Sequence, residues 1–176
     1  MPLPQSSTSP SPECPKWYAL RTKPRQEKVV QRQLETDGFE AYLPLQKECR
    51  QWSDRRKELE VPLFPGYTFV RLFDGALERV QVLRKSGVLG FVGASQRYAA
   101  IRDEEIQNIK LLLGSSVPFC PHPYLRTGQR VRITDGLLRG LEGTVLRVAN
   151  SESLVVSIDL IERSLVVRLE GCKVSN

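Results

Sequence analysis

The chain is poor in the residues that enzymes and metal centres use most. His122 is its one histidine, which removes His-rich metal sites and leaves little from which to build a Ser-His-Asp triad. Its four cysteines, Cys14, Cys49, Cys120 and Cys172, lie far apart with no C-x-x-C pair, so zinc-ribbon spacing is absent. Scattered thiols with no secretory leader are expected to stay reduced and structural. Cys120 and His122 sit among three prolines in SVPFCPHPY, which reads as a Pro-rich connector rather than a metal or nucleophile site. There is no P-loop or dinucleotide-type glycine loop. The acids form no nuclease motif, since Asp103, Glu104 and Glu105 read as the start of a helix. The expectation is therefore a protein with no catalytic residues, no cofactor and no metal. No apolar run approaches the ~18 to 20 residues of a membrane span. MPLPQSSTSPSPECPK has neither a basic start nor an apolar stretch, so no membrane contact and a cytoplasmic location are expected.

What is present is ordinary for a globular chain: 176 residues, 40% hydrophobic and 26% charged. Lys and Arg outnumber Asp and Glu by 26 to 20, for a net charge of +6. The length suits one ordinary domain or two small ones. Residues 1–15 are rich in Ser and Pro and carry one charge, Glu13; they bury too little to offset ordering and read as a disordered tail. A Pro-rich break at residues 115–124 separates a larger domain, 16–114, from a smaller one, 125–176.

In the first domain Trp17 to Leu20 reads as a strand. RQEKVVQRQLETDG reads as a helix, with Val29, Val30 and Leu34 on one stripe and Gly38 as the stop. FEAYLPL is a strand, and QKECRQW with KELEVPLF flanks a polar SDRR turn as a hairpin arm. In GYTFVRLF, Tyr67, Phe69 and Arg71 point one way and Thr68, Val70 and Leu72 the other. ALERVQVLRKSG reads as a helix through Leu77, Val80 and Leu83. VLGFVG is a short strand, and IRDEEIQNIKLLLG a third helix with its acids in the first turn. The order β-α-β-β-β-α-β-α predicts an α+β domain, an antiparallel sheet with flanking helices.

The second domain has no helical period. VRIT, TVLRVA, LVVSIDLI, SLVVRL and CKV are short strands separated by Gly, Asp-Gly or Ser/Asn breaks, and a set this small suggests an all-β barrel. Gly128, Gly136, Gly140 and Gly143 punctuate it. Asp135-Gly136 suits a tight turn, while Gly140 and Gly143 permit positive φ or close backbone approach.

TGQRVRITDGLLRGLEGTVLRV looks like a KOW motif. Together with KWYALRTKPRQEK, PLFPGYTFV and GVLGFVG upstream, in that order, it resembles the NusG/RfaH family of transcription elongation factors, over residues 16–174. The resemblance implies an N-terminal domain that binds RNA polymerase and a mobile C-terminal KOW barrel that recruits a partner, in a protein acting as a monomer. It suggests a specialised paralogue that suppresses pausing and termination on particular operons.

Several residues carry that reading. If Thr68, Val70 and Leu72 supply the core face, Tyr67 and Phe69 remain as an exposed aromatic patch beside Phe64, Pro65 and Gly66. By resemblance this patch docks on the clamp helices of the polymerase β′ subunit. Lys16, Arg21, Lys23, Arg25, Lys28 and Arg32 stand against one acid, Glu27, between residues 16 and 32. Such a cluster suits phosphates. In specialised relatives this edge meets non-template DNA, and Lys23 and Arg25 match the contacting loop, with Lys85 and Ser86 at a second one. The basic arm of Lys47, Arg50, Arg55, Arg56 and Lys57 has upstream DNA or nascent RNA as a plausible neighbour. Glu78, Arg79 and Val80 stand where a relative has a His-Thr-Thr stretch that touches the β subunit. The types do not match, and the competing reading has Val80 in the core.

In the barrel, Ile161, Glu162 and Arg163 stand where housekeeping relatives carry the Phe-Gly-Arg turn through which they recruit Rho: the Arg remains, while the Phe and Gly are replaced. That replacement predicts weakened Rho recruitment. A small-subunit ribosomal protein could still bind along residues 158–163, including Ile158. Some specialised relatives store this domain as a helical hairpin. The β-branched runs LVVSI and SLVVRL favour strands here. Two rival readings stand beside this one: a housekeeping NusG role with Rho-dependent termination, and a ribosome-associated KOW protein that binds RNA.

Overall fold

The structure is a computed structural model that describes residues 14–51, 56–73, 75–94, 97–124, 128–148, 151–168 and 174–175. Most of the expected tail, the arm tip with Asp54 and Arg55, and Cys172 lie outside the described residues, as do the side chains of Cys49, Arg50, Arg56 and Lys57. In chain order the first part comprises β1 (Lys16–Thr22), α1 (Glu27–Thr36), β2 (Glu40–Tyr42), β3 (Leu45–Gln51), β4 (Arg56–Pro62), β5 (Tyr67–Leu72), α2 (Ala76–Leu83), β6 (Val88–Phe91), β7 (Gly93–Ala94), β8 (Arg97–Tyr98) and α3 (Asp103–Gly114). The remainder is β9 (Phe119–Pro123), β10 (Gln129–Ile133), β11 (Glu142–Val148), β12 (Ser151–Ile158), a 3-10 turn (Asp159–Ile161), β13 (Arg163–Arg168) and β14 (Val174–Ser175).

The first sheet runs β2-β5-β1-β6 and every pairing is antiparallel. Its two faces are both covered. On one, Tyr18, Leu20, Val70 and Leu72 pack against Val30 and Leu34 of α1 and Val82 of α2. On the other, Trp17, Ala19 and Phe69 pack with Ile106, Ile109 and Leu112 of α3. The spacing of Ile106, Ile109 and Leu112 gives α3 one apolar stripe, as period 3.6 requires, and Ile101 anchors the approach to it by bridging to Trp17. β3 and β4 form the expected hairpin, a separate two-stranded ladder.

The helical stripes differ in detail from those read in the sequence. Val30 and Leu34 are buried, but Val29 is 41% exposed. In α2 the core residue is Val82; Leu77, Val80 and Leu83 face solvent, because the short helix turns only one residue of its apolar set onto the sheet. The β7-β8 hairpin was not anticipated.

The second part is a six-stranded antiparallel sheet, β14-β10-β11-β12-β13-β9. The five expected strands are β10 to β14. Among the described residues after 128 there is no α-helix, in line with the β-branched runs. The Pro-rich connector is not wholly irregular: β9 pairs with β13. It lies at the sheet edge, where proline's missing N–H costs no ladder bond. Gly143 lies where β11 crosses β12 closely, and a Cβ there would stand 2.5 Å from the Val155 carbonyl oxygen. Gly128 is similarly crowded, by Thr144 and Val145, while Gly136 and Gly140 have positive φ in an open loop.

The C-terminal sheet rests on α3. Glu142 N–H donates to Asn108 Oδ1 (3.1 Å) and Asp159 N–H to Glu105 Oε2 (3.2 Å). Arg102 lies 3.5 Å from Asp159. Glu105, read from the sequence only as a helix-start acid, is buried and also receives Arg102 Nε at 2.7 Å. That bond is the first cause of the upward shift of the Arg102 guanidinium's pKa.

Candidate polymerase and nucleic-acid surfaces

Three loops meet at one end of the first sheet. Residues 64–67 form a tight turn, with Tyr67 N–H donating to Phe64 O (3.2 Å) and Gly66 at φ +83. Pro65 and Gly66 occupy the central positions that a type II turn assigns to these residue types. The turn hangs on the end of β1 through Thr22 N–H donating to Gly66 O (2.9 Å). Beside it, Lys23 N–H donates to Gly87 O (2.8 Å), which joins the loop after β1 to the loop after α2. Arg25 adopts a left-handed φ of +65 within that first loop.

The aromatic residues of this region separate into two kinds. Tyr67 is half-buried and Pro65 exposed. Phe69 and Phe64, expected in an exposed patch, are 0% and 3% exposed and stack edge-on at 6.3 Å. The alternation of β5 was read correctly, but α3 covers the face that was expected to be free. Phe69 also meets Tyr42, whose ring centroid is 6.4 Å away. Burial pushes the Tyr42 phenol up to about 12, so it is neutral at ordinary pH. Lys110 Nζ lies 5.1 Å from the ring centroids of both Trp17 and Tyr42, a cation–π arrangement that caps this aromatic group.

The basic residues named from the sequence are brought to one edge but are not equally available. Lys23, Arg25 and Ser86 are exposed. Lys28 pairs loosely with Glu60 at 3.9 Å. Lys85 is engaged with Asp37 through a direct ion pair, so a phosphate would compete with a carboxylate for it. Sequence reasoning missed Asp37 as that competitor, since it sits at the end of α1, 48 residues away. Arg84, also exposed, adds a cation to the same edge that was not singled out. Arg79, at the position where a relative has a polymerase-contacting stretch whose residue types this chain lacks, lies 5.1 Å from the Tyr98 ring centroid.

In the C-terminal sheet the candidate partner turn is likewise divided. Ile158 and Ile161 are buried, at 0% and 5% exposure. They belong to the apolar core rather than to a presented surface, because the 3-10 turn folds Ile161 inward. Glu162 and Arg163 are exposed. Glu162 has φ 51 and ψ 50, a left-handed conformation that favours glycine. Among the described residues no group of His, Cys, Asp and Glu is placed to hold a metal ion. No described helix is long and apolar enough to cross a membrane.

Comparisons with known proteins point to one family. The family model described as "Transcription termination factor nusG" matches residues 15–110. The transcription termination/antitermination protein NusG of Deinococcus radiodurans is 31% identical, over 90% of this chain and 97% of its own length. The NusG of Thermus thermophilus is 27% identical over 90% of this chain and 96% of its own length. A solved structure of Thermotoga maritima NusG shares the fold, with a TM-score of 0.50 and 22% identity, covering 87% of this chain and 92% of that one. The family model and the 31% identical relative place the chain in the NusG family of transcription termination/antitermination factors.

Proposed function

We propose that the chain binds RNA polymerase through the turn at residues 64–67 and suppresses pausing and termination on a limited set of transcripts. The observation that carries this reading is the half-buried Tyr67, which leaves the hydrogen-bonded 64–67 turn and packs against the core cluster that holds Phe64 and Phe69. An aromatic ring fixed before binding loses little entropy on docking and makes an effective interface anchor. The occupant would be the clamp helices of the β′ subunit. A ligand that prefers the closed, moving polymerase shifts population away from paused states without any chemistry of its own.

Lys23 and Arg25, with Lys28, Lys85, Ser86 and Arg84 beside them, would meet the phosphates of non-template DNA or nascent RNA. The C-terminal sheet would act as a KOW-type barrel that recruits a partner, a small-subunit ribosomal protein being the expected one, through the exposed Glu162 and Arg163. Ile161 is an inward-facing aliphatic residue, and Glu162 adds a negative charge, so this turn offers Rho no aromatic anchor. A housekeeping role with Rho-dependent termination is the second reading, favoured by the name that the relatives carry.

The test is affinity of the full chain for RNA polymerase. Tyr67→Ala is expected to weaken binding by roughly tenfold or more, as hot-spot aromatics do, with the fold intact. Unchanged affinity would overturn the docking site. Rho capture by the wild-type chain would favour the housekeeping role.

A further inference from the structure

Both polar groups of the Gly66 backbone are engaged, and both partners flank the basic loop. Thr22, just before that loop, donates its N–H to Gly66 O at 2.9 Å. Glu27, just after it, accepts the Gly66 N–H on Oε1 at 2.8 Å. In a turn with Pro65 and Gly66 at its centre, the Gly66 N–H has no partner within the turn and would otherwise face water. Glu27 is 4% exposed, and a carboxylate taken out of water this far is costly unless it is hydrogen-bonded. The bond therefore fixes both ends: the acid cannot easily leave, and the Pro65–Gly66 peptide plane at the centre of the turn, one bond before the plane that enters Tyr67, cannot easily rotate.

We infer that Glu27 is a positioning residue for Tyr67, a buried acceptor that sets the 64–67 turn and makes it one rigid unit with the basic loop at residues 23–26. The inference rests on the reading of Tyr67 as the polymerase anchor. Glu27 itself touches no partner; it acts by fixing the geometry in which Tyr67 is presented. A carboxylate at the first position of α1 also suits the helix dipole. The two roles separate experimentally, because the dipole needs the charge whereas the turn needs only an acceptor.

The experiment compares the full-length wild type with Glu27→Gln, Glu27→Ala, Tyr67→Ala and the Glu27→Ala/Tyr67→Ala pair. It measures RNA polymerase affinity, and hydrogen exchange at the Gly66 amide. Glu27→Ala is expected to lower affinity about tenfold, the scale of a lost hydrogen bond to a charged group. Glu27→Gln, which keeps the acceptor, is expected to stay within roughly twofold of wild type. In the Tyr67→Ala background Glu27→Ala should add little, since residues that act through one another are non-additive. The Gly66 amide should be protected in wild type and Glu27→Gln and released in Glu27→Ala.

Equal losses in Glu27→Gln and Glu27→Ala, additive losses with Tyr67→Ala, or a freely exchanging Gly66 amide in wild type would each overturn the positioning role. Normal affinity in Glu27→Ala beside a weakened Tyr67→Ala would overturn it alone; normal affinity in Tyr67→Ala would overturn the docking site as well. If Glu27→Ala does not fold, Glu27→Asp, whose carboxylate is one methylene too short, takes its place with the same expectations.

Discussion

The Lys23 N–H donates to the Gly87 carbonyl oxygen at 2.8 Å, and that single bond brings two loops 64 positions apart in the chain onto one edge. It is reinforced by Gly87, which has a φ of +92 and, lacking a Cβ, can sit against Gln26 and Val30; a Cβ would lie 3.0 Å from Gln26 Cβ. The cations of residues 23–25 and 84–85 are thereby presented together.

Replacing Lys23 and Arg25 by Ala is expected to weaken binding of a single-stranded oligonucleotide while leaving the fold unchanged, since both side chains are exposed. If each contacts a phosphate, the slope of log affinity against log salt should flatten by about 0.7 per residue. A salt titration by fluorescence anisotropy checks this. An unchanged slope would remove these two residues from the nucleic-acid surface.

Phe69 and Tyr67 should respond in opposite ways to truncation. Phe69→Ala empties a fully buried site between β5 and α3 and is expected to cost about 3–5 kcal/mol of stability. Tyr67→Ala, at a half-buried position on the margin of the same cluster, should cost less. Urea denaturation of the two variants side by side decides the matter; equal losses would mean that Tyr67 is a core residue.

Thr68 is fully buried, and its Oγ1 has no hydrogen-bond partner among the described residues. Thr68→Val keeps the shape and removes the desolvated hydroxyl, so a gain of about 1 kcal/mol is expected. A loss of stability in the same urea assay would show that the hydroxyl is satisfied in solution.

Glu162 holds a left-handed conformation that costs a non-glycine residue about 1–2 kcal/mol. Glu162→Gly is therefore expected to raise the stability of the C-terminal sheet by up to about 1 kcal/mol, after the extra backbone entropy of glycine is counted. Thermal unfolding of the full chain reads it out, and a lower midpoint would contradict the account.

Much of this was legible in the sequence. Period-2 alternation located β5 and Val/Ile-rich runs located the second sheet, whereas Pro65 and Gly66 were read only as part of a motif and not as the turn that their residue types favour. Burial was harder to read, because alternation says which residues share a face and not what lies over it. Phe69 was assigned to an open face since nothing local to β5 announces that α3, some thirty positions later, packs there. The same limit applied to Glu27 and Glu105. As acids in first helical turns they look solvated, and only the fold shows that one receives Gly66 and the other Arg102 and Asp159. Short α2 misled for another reason: Val80 and Val82 are equally apolar, and so few turns leave the period too weak to choose between them.

The central claim is that the chain acts on moving polymerase through Tyr67. Single-round transcription by bacterial RNA polymerase through a pause site and a terminator, with wild type and Tyr67→Ala, tests it most directly. The account predicts faster passage and more read-through with wild type, lost in Tyr67→Ala. Equal read-through with the two proteins, or enhanced termination only when Rho is added, would contradict it.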